Sequence, residues 1–214
     1  MNAPRTRVLS LAAAICIVCI SIVLWRLNAH RNHINALNDA VSQAERRAND
    51  YNKAEENLQR MVIAIGAIGN QYKPGGNTPT EEAVAMDYQS EAYRESVPQL
   101  RQAFDAYSAV IGQPLPERDR MAEDVDIMAQ SLRNASVYMK LYGEAPTAFA
   151  SYRPIIHNNI ETVLRHISSL MEIQSDLDAV FKRYDKVTSH ALATAKAERD
   201  RVAKEDLLHA IETP

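Results

Sequence analysis

The chain has 214 residues, 46% hydrophobic and 24% charged, a balance that excludes a disordered or fibrous polypeptide and gives room for one domain plus an anchor. Only 6 glycines and 9 prolines punctuate it, too few for the many turns of an all-β fold. The formal net charge is −3; setting aside Arg5, Arg7 and Arg26, which flank an apolar run, leaves 21 of the 24 basic residues against 27 acidic ones, a net of −6. That sign is wrong for a polyanion-binding surface, so no nucleic acid is expected as a partner.

Residues 1–7 read as a short tail. From Val8 to Trp25 the sequence is VLSLAAAICIVCISIVLW, without a charge. At about 1.5 Å per residue this run is roughly 27 Å long, close to the ~30 Å hydrocarbon thickness of a bilayer. Trp25 ends it, where an amphipathic ring prefers the headgroup level. The run exceeds the ~7–15 residues of a signal peptide core, and Leu27-Asn28-Ala29 places a bulky residue where a cleavage site wants a small one. The expectation is therefore an uncleaved anchor over residues 8–27 that contacts the lipid bilayer. Cys16 and Cys19, both inside the run, have no second ligand pair and read as small helix-facing residues. Basic residues nearly balance across the run. The short tail and the large following domain place the tail inside and the domain outside, in the periplasm of a bacterium with the anchor in its inner membrane.

Residues 28–214 read as one helical domain. Ile34, Leu37, Val41, Ala44, Ala48, Tyr51, Glu55, Leu58, Val62 and Ile65 follow alternating steps of three and four, a coiled-coil seam with one charged interruption at Glu55. Gly66 and Gly69 weaken this first helix, and Lys73-Pro74-Gly75-Gly76-Asn77 is a turn. Thr78, Pro79 and Glu81 then form a capping box with proline at the first helical position. A second box, Ser96-Val97-Pro98-Gln99, predicts a new helix beginning at Pro98, ended by Gly112, Pro114 and Pro116. The next helix runs from about Pro116 to Tyr142 on a stripe of Met121, Val125, Met128, Ala129, Leu132 and Met139, closed by Gly143. After a brief turn, the last helix spans Pro154 to about Ile211. It carries Ile156, Ile160, Val163, Ile167, Leu170, Leu177, Phe181, Tyr184, Ala191, Ala195 and Val202, with Gln174 and Thr188 as polar interruptions. Its last ~15 residues become a charged helical tail. The fold class is all-α: one amino-terminal transmembrane helix continuing into an elongated antiparallel bundle of about four to five helices, with long first and last members.

No motif reaches a reaction. His30 and His33 make half a metal site, and His157, His166, His190 and His209 share no single helix face. The acidic pairs Glu55-Glu56, Glu81-Glu82 and Asp124-x-Asp126 fall at polar helix positions. No nucleophile has an adjacent base, so neither catalysis nor a cofactor or metal is expected. Tyrosine is over-represented, 9 against 3 phenylalanines. Tyr88, Tyr93, Tyr107, Tyr138, Tyr142 and Tyr152 cluster in the middle of the chain, where rings with a polar tip suit packing borders and recognition surfaces alike. They are the candidate partner or ligand surface.

Tyr51-Asn52-Lys53, Gln59-Arg60 and Thr78-Pro79-Thr80-Glu81-Glu82 together resemble the opening of a family of uncharacterised all-helical bacterial envelope lipoproteins. That family has no assigned activity, and this chain keeps an apolar run where a lipidated cysteine would be. The resemblance implies a cell-envelope setting. The functional expectation is a membrane-anchored, non-catalytic helical interaction protein (a scaffold, adaptor or immunity-type binder) with a protein partner, and a homo-oligomer is left open. The alternatives are a ligand-sensing periplasmic bundle that signals through a partner, and a phage lysis-type membrane-anchored coiled-coil protein.

Overall fold

Continuous three-four apolar spacing without an interior turn should give long helices, and it does. The computed structural model is built from α1 (Ala3–Asn70), α2 (Pro79–Ile111), α3 (Glu117–Glu144) and α4 (Arg153–Glu212), with a short 3-10 turn at Ala150–Tyr152 before α4. It describes the backbone of residues 3–70, 78–147 and 150–212, and the side chains of residues 20–69, 78–147 and 150–205. The turn expected at residues 73–77, Cys16, Cys19 and the His209 ring lie outside these described residues.

The expected membrane-spanning helix is corrected. Among the described residues, no helix is long and apolar enough to cross a membrane. Residues 8–19 of the expected span lie outside the described side chains. The exposed stretch from Ile20 to Trp25 falls far short of the ~18–20 apolar residues a crossing requires. The lipid contact assigned to residues 8–25 is withdrawn with it.

The chain divides into two units, residues 1–48 with 188–214, and residues 49–187. In the first, Val41 and Val202 are buried, and Lys196 of α4 pairs with Glu45 of α1 at 2.9 Å. In the second, four helical segments enclose a core that includes Tyr51, Leu58, Ile65, Met86, Leu100, Phe104, Tyr107, Met121, Met128 and Leu177. Every buried residue of α1 in this unit lies on the seam read from its sequence. On α4 the seam passes through buried Ile173, not through exposed Gln174. A step of three from Leu170 keeps an apolar side chain inward where a step of four would bring an amide.

Two features fix α2. Thr78 is extended (φ −68°, ψ 155°) and closes a complete capping box with Glu81. The Glu81 carboxylate accepts from the Thr78 N–H at 2.8 Å, and that bond, with the Thr78 hydroxyl, holds its carboxyl below the usual carboxylate range. At the other end, Gly112 takes the left-handed conformation (φ 73°) and its N–H reaches the Ser108 carbonyl, a position that favours glycine. Between them the helix is unbroken, which corrects the helix start expected at Pro98. The Ser96 hydroxyl donates back to the Tyr93 carbonyl at 2.7 Å, the bond of a helix-interior serine, so it caps no helix start at Pro98.

α2 and α3 pack on small residues. The Ser90 hydroxyl donates to the Ala129 carbonyl and the Ser136 hydroxyl to the Ala83 carbonyl, each at 2.8 Å. This antiparallel exchange is possible only where the backbones lie close. Ala122, Ala129, Ser136 and Gly143 recur at every seventh position of α3. A Cβ added at Gly143 would lie 3.1 Å from the Thr80 hydroxyl and 3.3 Å from Pro79 Cβ. Gly143 therefore serves the helix contact, and α3 continues past it to Glu144. Arg118, at the start of α3, bridges Asp105 of α2 (2.7 Å) and Asp119 (2.8 Å).

α1 and α4 are joined by tyrosines. The Tyr51 hydroxyl donates to the Phe181 carbonyl at 2.8 Å and accepts from the Tyr107 hydroxyl at 3.1 Å. The Tyr107 ring meets Phe181 edge-on, with centroids 5.2 Å apart. Burial first, and then the Tyr107 hydroxyl and the Glu55 carboxylate, hold the Tyr51 phenol far above its ordinary range. Burial also pushes Tyr107 up to about 12, against a smaller opposing effect of its bond to Tyr51. The unfolded chain releases these protons near pH 10 and the folded chain does not, so above that pH the folded state binds more protons. Stability is therefore full below about pH 10 and falls as pH rises toward 12. Chemical unfolding at stepped alkaline pH, followed by helical circular dichroism, checks this; an unfolding free energy level across that window would contradict it.

Candidate binding cleft

The six tyrosines singled out from the sequence do not form one surface. Tyr107 is core, and Tyr88 is 72% exposed on α2. Tyr138, Tyr142 and Tyr152 gather where α3 ends and α4 begins: the Tyr138 and Tyr152 rings lie 5.2 Å apart. The Arg153 guanidinium sits over the Tyr142 ring at 4.8 Å and donates to its hydroxyl. Tyr93 stands apart from all of these, at the centre of the second unit.

Tyr93 is only 2% exposed and lines two clefts. One, of about 230 Å³, lies among Gly69 of α1, Met86 and Gln89 of α2, Leu132 of α3, and Ile160, Val163, Leu164 and Ile167 of α4. The other, of about 430 Å³, lies among Val62, Ile65, Gly66 and Gly69 of α1, Met121 of α3, and Leu164, Ile167, Leu170, Met171 and Gln174 of α4. The two share Gly69, Tyr93, Leu164 and Ile167 and so adjoin, a two-part hollow with Tyr93 in both linings. No charged residue lines either part.

Glycine is what opens the wall. Gly66 lies inside α1, where a glycine costs about 1 kcal/mol relative to alanine, and Gly69 lies in its last turn. A Cβ at Gly69 would lie 3.0 Å from the Tyr93 hydroxyl and 3.7 Å from Ile167 Cδ1, whereas at Gly66 it would meet nothing within 4 Å. Gly66→Ala is therefore expected to stabilise the protein by about 1 kcal/mol, read as a shift in denaturant midpoint. A destabilised variant would mean that the wall is packed after all. Gly69→Ala gains less, because the Tyr93 hydroxyl must first move.

The Tyr93 hydroxyl makes no hydrogen bond among the described residues; burial alone pushes it up to about 12. Beside it the Gln89 amide nitrogen is occupied by the Ile68 carbonyl at 3.2 Å, one of the last carbonyls of α1, which the helix itself leaves unpaired. The hollow thus presents mostly apolar walls, with the Tyr93 hydroxyl in both parts, the Gln89 amide in the smaller and the Gln174 amide in the larger. Two exposed apolar side chains stand in its lining, Leu164 (58%) and Met171 (68%).

One polar pair has no counterpart among the sequence motifs. His166 Nδ1 of α4 lies 2.7 Å from Asp124 Oδ1 of α3. Both side chains are mostly buried, and Asp124 Oδ2 has no hydrogen-bond partner. Such a pair orients an imidazole, but among the described residues no nucleophile is hydrogen-bonded to that ring, and no group of three or more His, Cys, Asp or Glu could hold a metal ion. It acts as an interhelical tie between α3 and α4. No family model, curated protein or solved structure matches the chain.

Proposed function

We propose that the chain is a non-catalytic helical interaction protein that engages its partner on the α1/α4 side of its second unit, around the hollow at Tyr93. The observation that carries this reading is the coincidence of a largely apolar hollow with exposed Leu164 and Met171 in its lining. Single exposed apolar residues need no explanation, but a cluster of them around a concavity marks a binding surface. Local ion pairs such as Arg60–Glu56, Arg94–Glu91 and Arg201–Glu198 lie on the surface, and no charged side chain lines the hollow. A setting in the bacterial envelope rests on the resemblance over residues 51–82.

A second reading, a ligand-sensing bundle, draws on one observation of its own, the otherwise buried Tyr93, which lines both parts of the hollow. The test common to both is site-specific photocross-linking in the native cells. A benzophenone amino acid at Leu164 or Met171 should give one stoichiometric adduct, and the same group at exposed Val84 or Val110 of α2 should give none. Adducts at all four positions, or at none, would refute the assignment of this surface.

A further inference from the structure

The hollow at Tyr93 also defines what it can hold. We infer that it binds a neutral, largely apolar small molecule carrying one hydroxyl, of the size of a substituted phenol, with that hydroxyl on the Tyr93 hydroxyl. This rests on the second reading, the ligand-sensing bundle, and names its ligand class. Size comes first: apolar cavities of about 150 Å³ already accept benzene, and the two parts here measure about 230 and 430 Å³. Charge comes second. With no charged side chain in the lining, a carboxylate or ammonium would be desolvated without compensation. Polarity comes third. A phenol hydroxyl both donates and accepts, so the uncommitted Tyr93 group is satisfied in either sense by an alcohol, and a pure hydrocarbon leaves it unpaired. Gly66 and Gly69 both line the larger part without a side chain, and a Cβ at Gly69 would come within 3.0 Å of the Tyr93 hydroxyl that the ligand is to meet.

The lining supplies its own reporters. Met86, Met121 and Met171 line the hollow, whereas Met61, Met128 and Met139 line neither part. The full chain, labelled at its methionine methyl carbons, is titrated with 4-ethylphenol, ethylbenzene and 4-ethylbenzoate and followed by NMR. The expected result is saturable movement of the Met86, Met121 and Met171 signals with 4-ethylphenol, weaker movement with ethylbenzene and none with 4-ethylbenzoate. Tyr93→Phe should weaken 4-ethylphenol about tenfold and leave ethylbenzene unchanged, and the second result shows that the variant is folded. Equal binding of the benzoate, an unaltered phenol affinity in Tyr93→Phe, or no movement of the three lining methyls would each overturn the ligand class. If the rim adducts at Leu164 and Met171 persist in that case, only the ligand class has failed; if they are absent too, the binding surface itself has failed.

Discussion

Tyr107→Ala is expected to cost about 4 kcal/mol of unfolding free energy, the scale for deleting a fully buried aromatic side chain. Tyr107 is 0% exposed and is held between Tyr51 and Phe181, with ring centroids at 5.6 Å and 5.2 Å. Nothing mobile stands ready to fill the void it would leave. The two phenylalanine substitutions should differ from each other. Tyr51→Phe strands the Tyr107 O–H without an acceptor, a buried unmet donor that costs about 2 kcal/mol. Tyr107→Phe leaves the Tyr51 donation to Phe181 intact and costs about 1 kcal/mol. The double phenylalanine variant should cost less than the two singles together, because the stranded group is then gone. Denaturant unfolding of the four variants measures all of this. A Tyr107→Ala loss below about 1 kcal/mol would mean that the α1/α4 seam is not packed as described.

Pro98→Ala should act in the opposite direction. Pro98 is exposed and lies inside α2, where its ring faces the Arg94 carbonyl and no N–H is present to pair with it. An interior proline costs about 3 kcal/mol in a helix, and the freer alanine gives back about 1 kcal/mol through the unfolded chain. The net expectation is a gain of about 2 kcal/mol, read from the thermal midpoint. If a new helix began at Pro98, the proline would be favourable at its first position and Pro98→Ala would give no gain. The same substitution therefore decides between one helix and two over residues 79–111.

Features whose cause is local are legible in the sequence. The box at Thr78 and Glu81, the stop at Gly112 and the seam through Tyr51, Leu58, Val62 and Ile65 all depend on neighbours within a turn or two. The second box at Ser96 has the same residue types, and it misleads because a serine hydroxyl can bond backward inside a helix as readily as forward at its start. Asp124 and His166 are 42 positions apart, and only the register of α3 on α4 brings them together. The six tyrosines look like one surface in the sequence because composition carries no direction; packing divides them among core, exposed face, helix junction and hollow. The hollow consists of missing atoms, and its one trace in the sequence is Gly66 and Gly69, three apart in an otherwise strong helix. Propensity alone makes them a weak end to that helix, whereas α1 runs through both to Asn70. The repeat of small residues from Ala122 to Gly143 is equally visible, and it marks the close contact with α2. The apolar run before Arg26 has the composition of a membrane crossing, and no described helix meets that requirement.

Binding at this site requires above all that the hollow be open. Gly66→Leu tests openness and binding at once, because Gly66 lines the larger part of the hollow and a Cβ there would meet nothing within 4 Å. The measurement is photocross-linking from Leu164 in this variant, with circular dichroism as the check on folding. The expected result is full helix content, a thermal midpoint no lower than the parent's, and loss of the adduct. A folded Gly66→Leu protein that still gives the parent's yield of adduct would contradict the assignment.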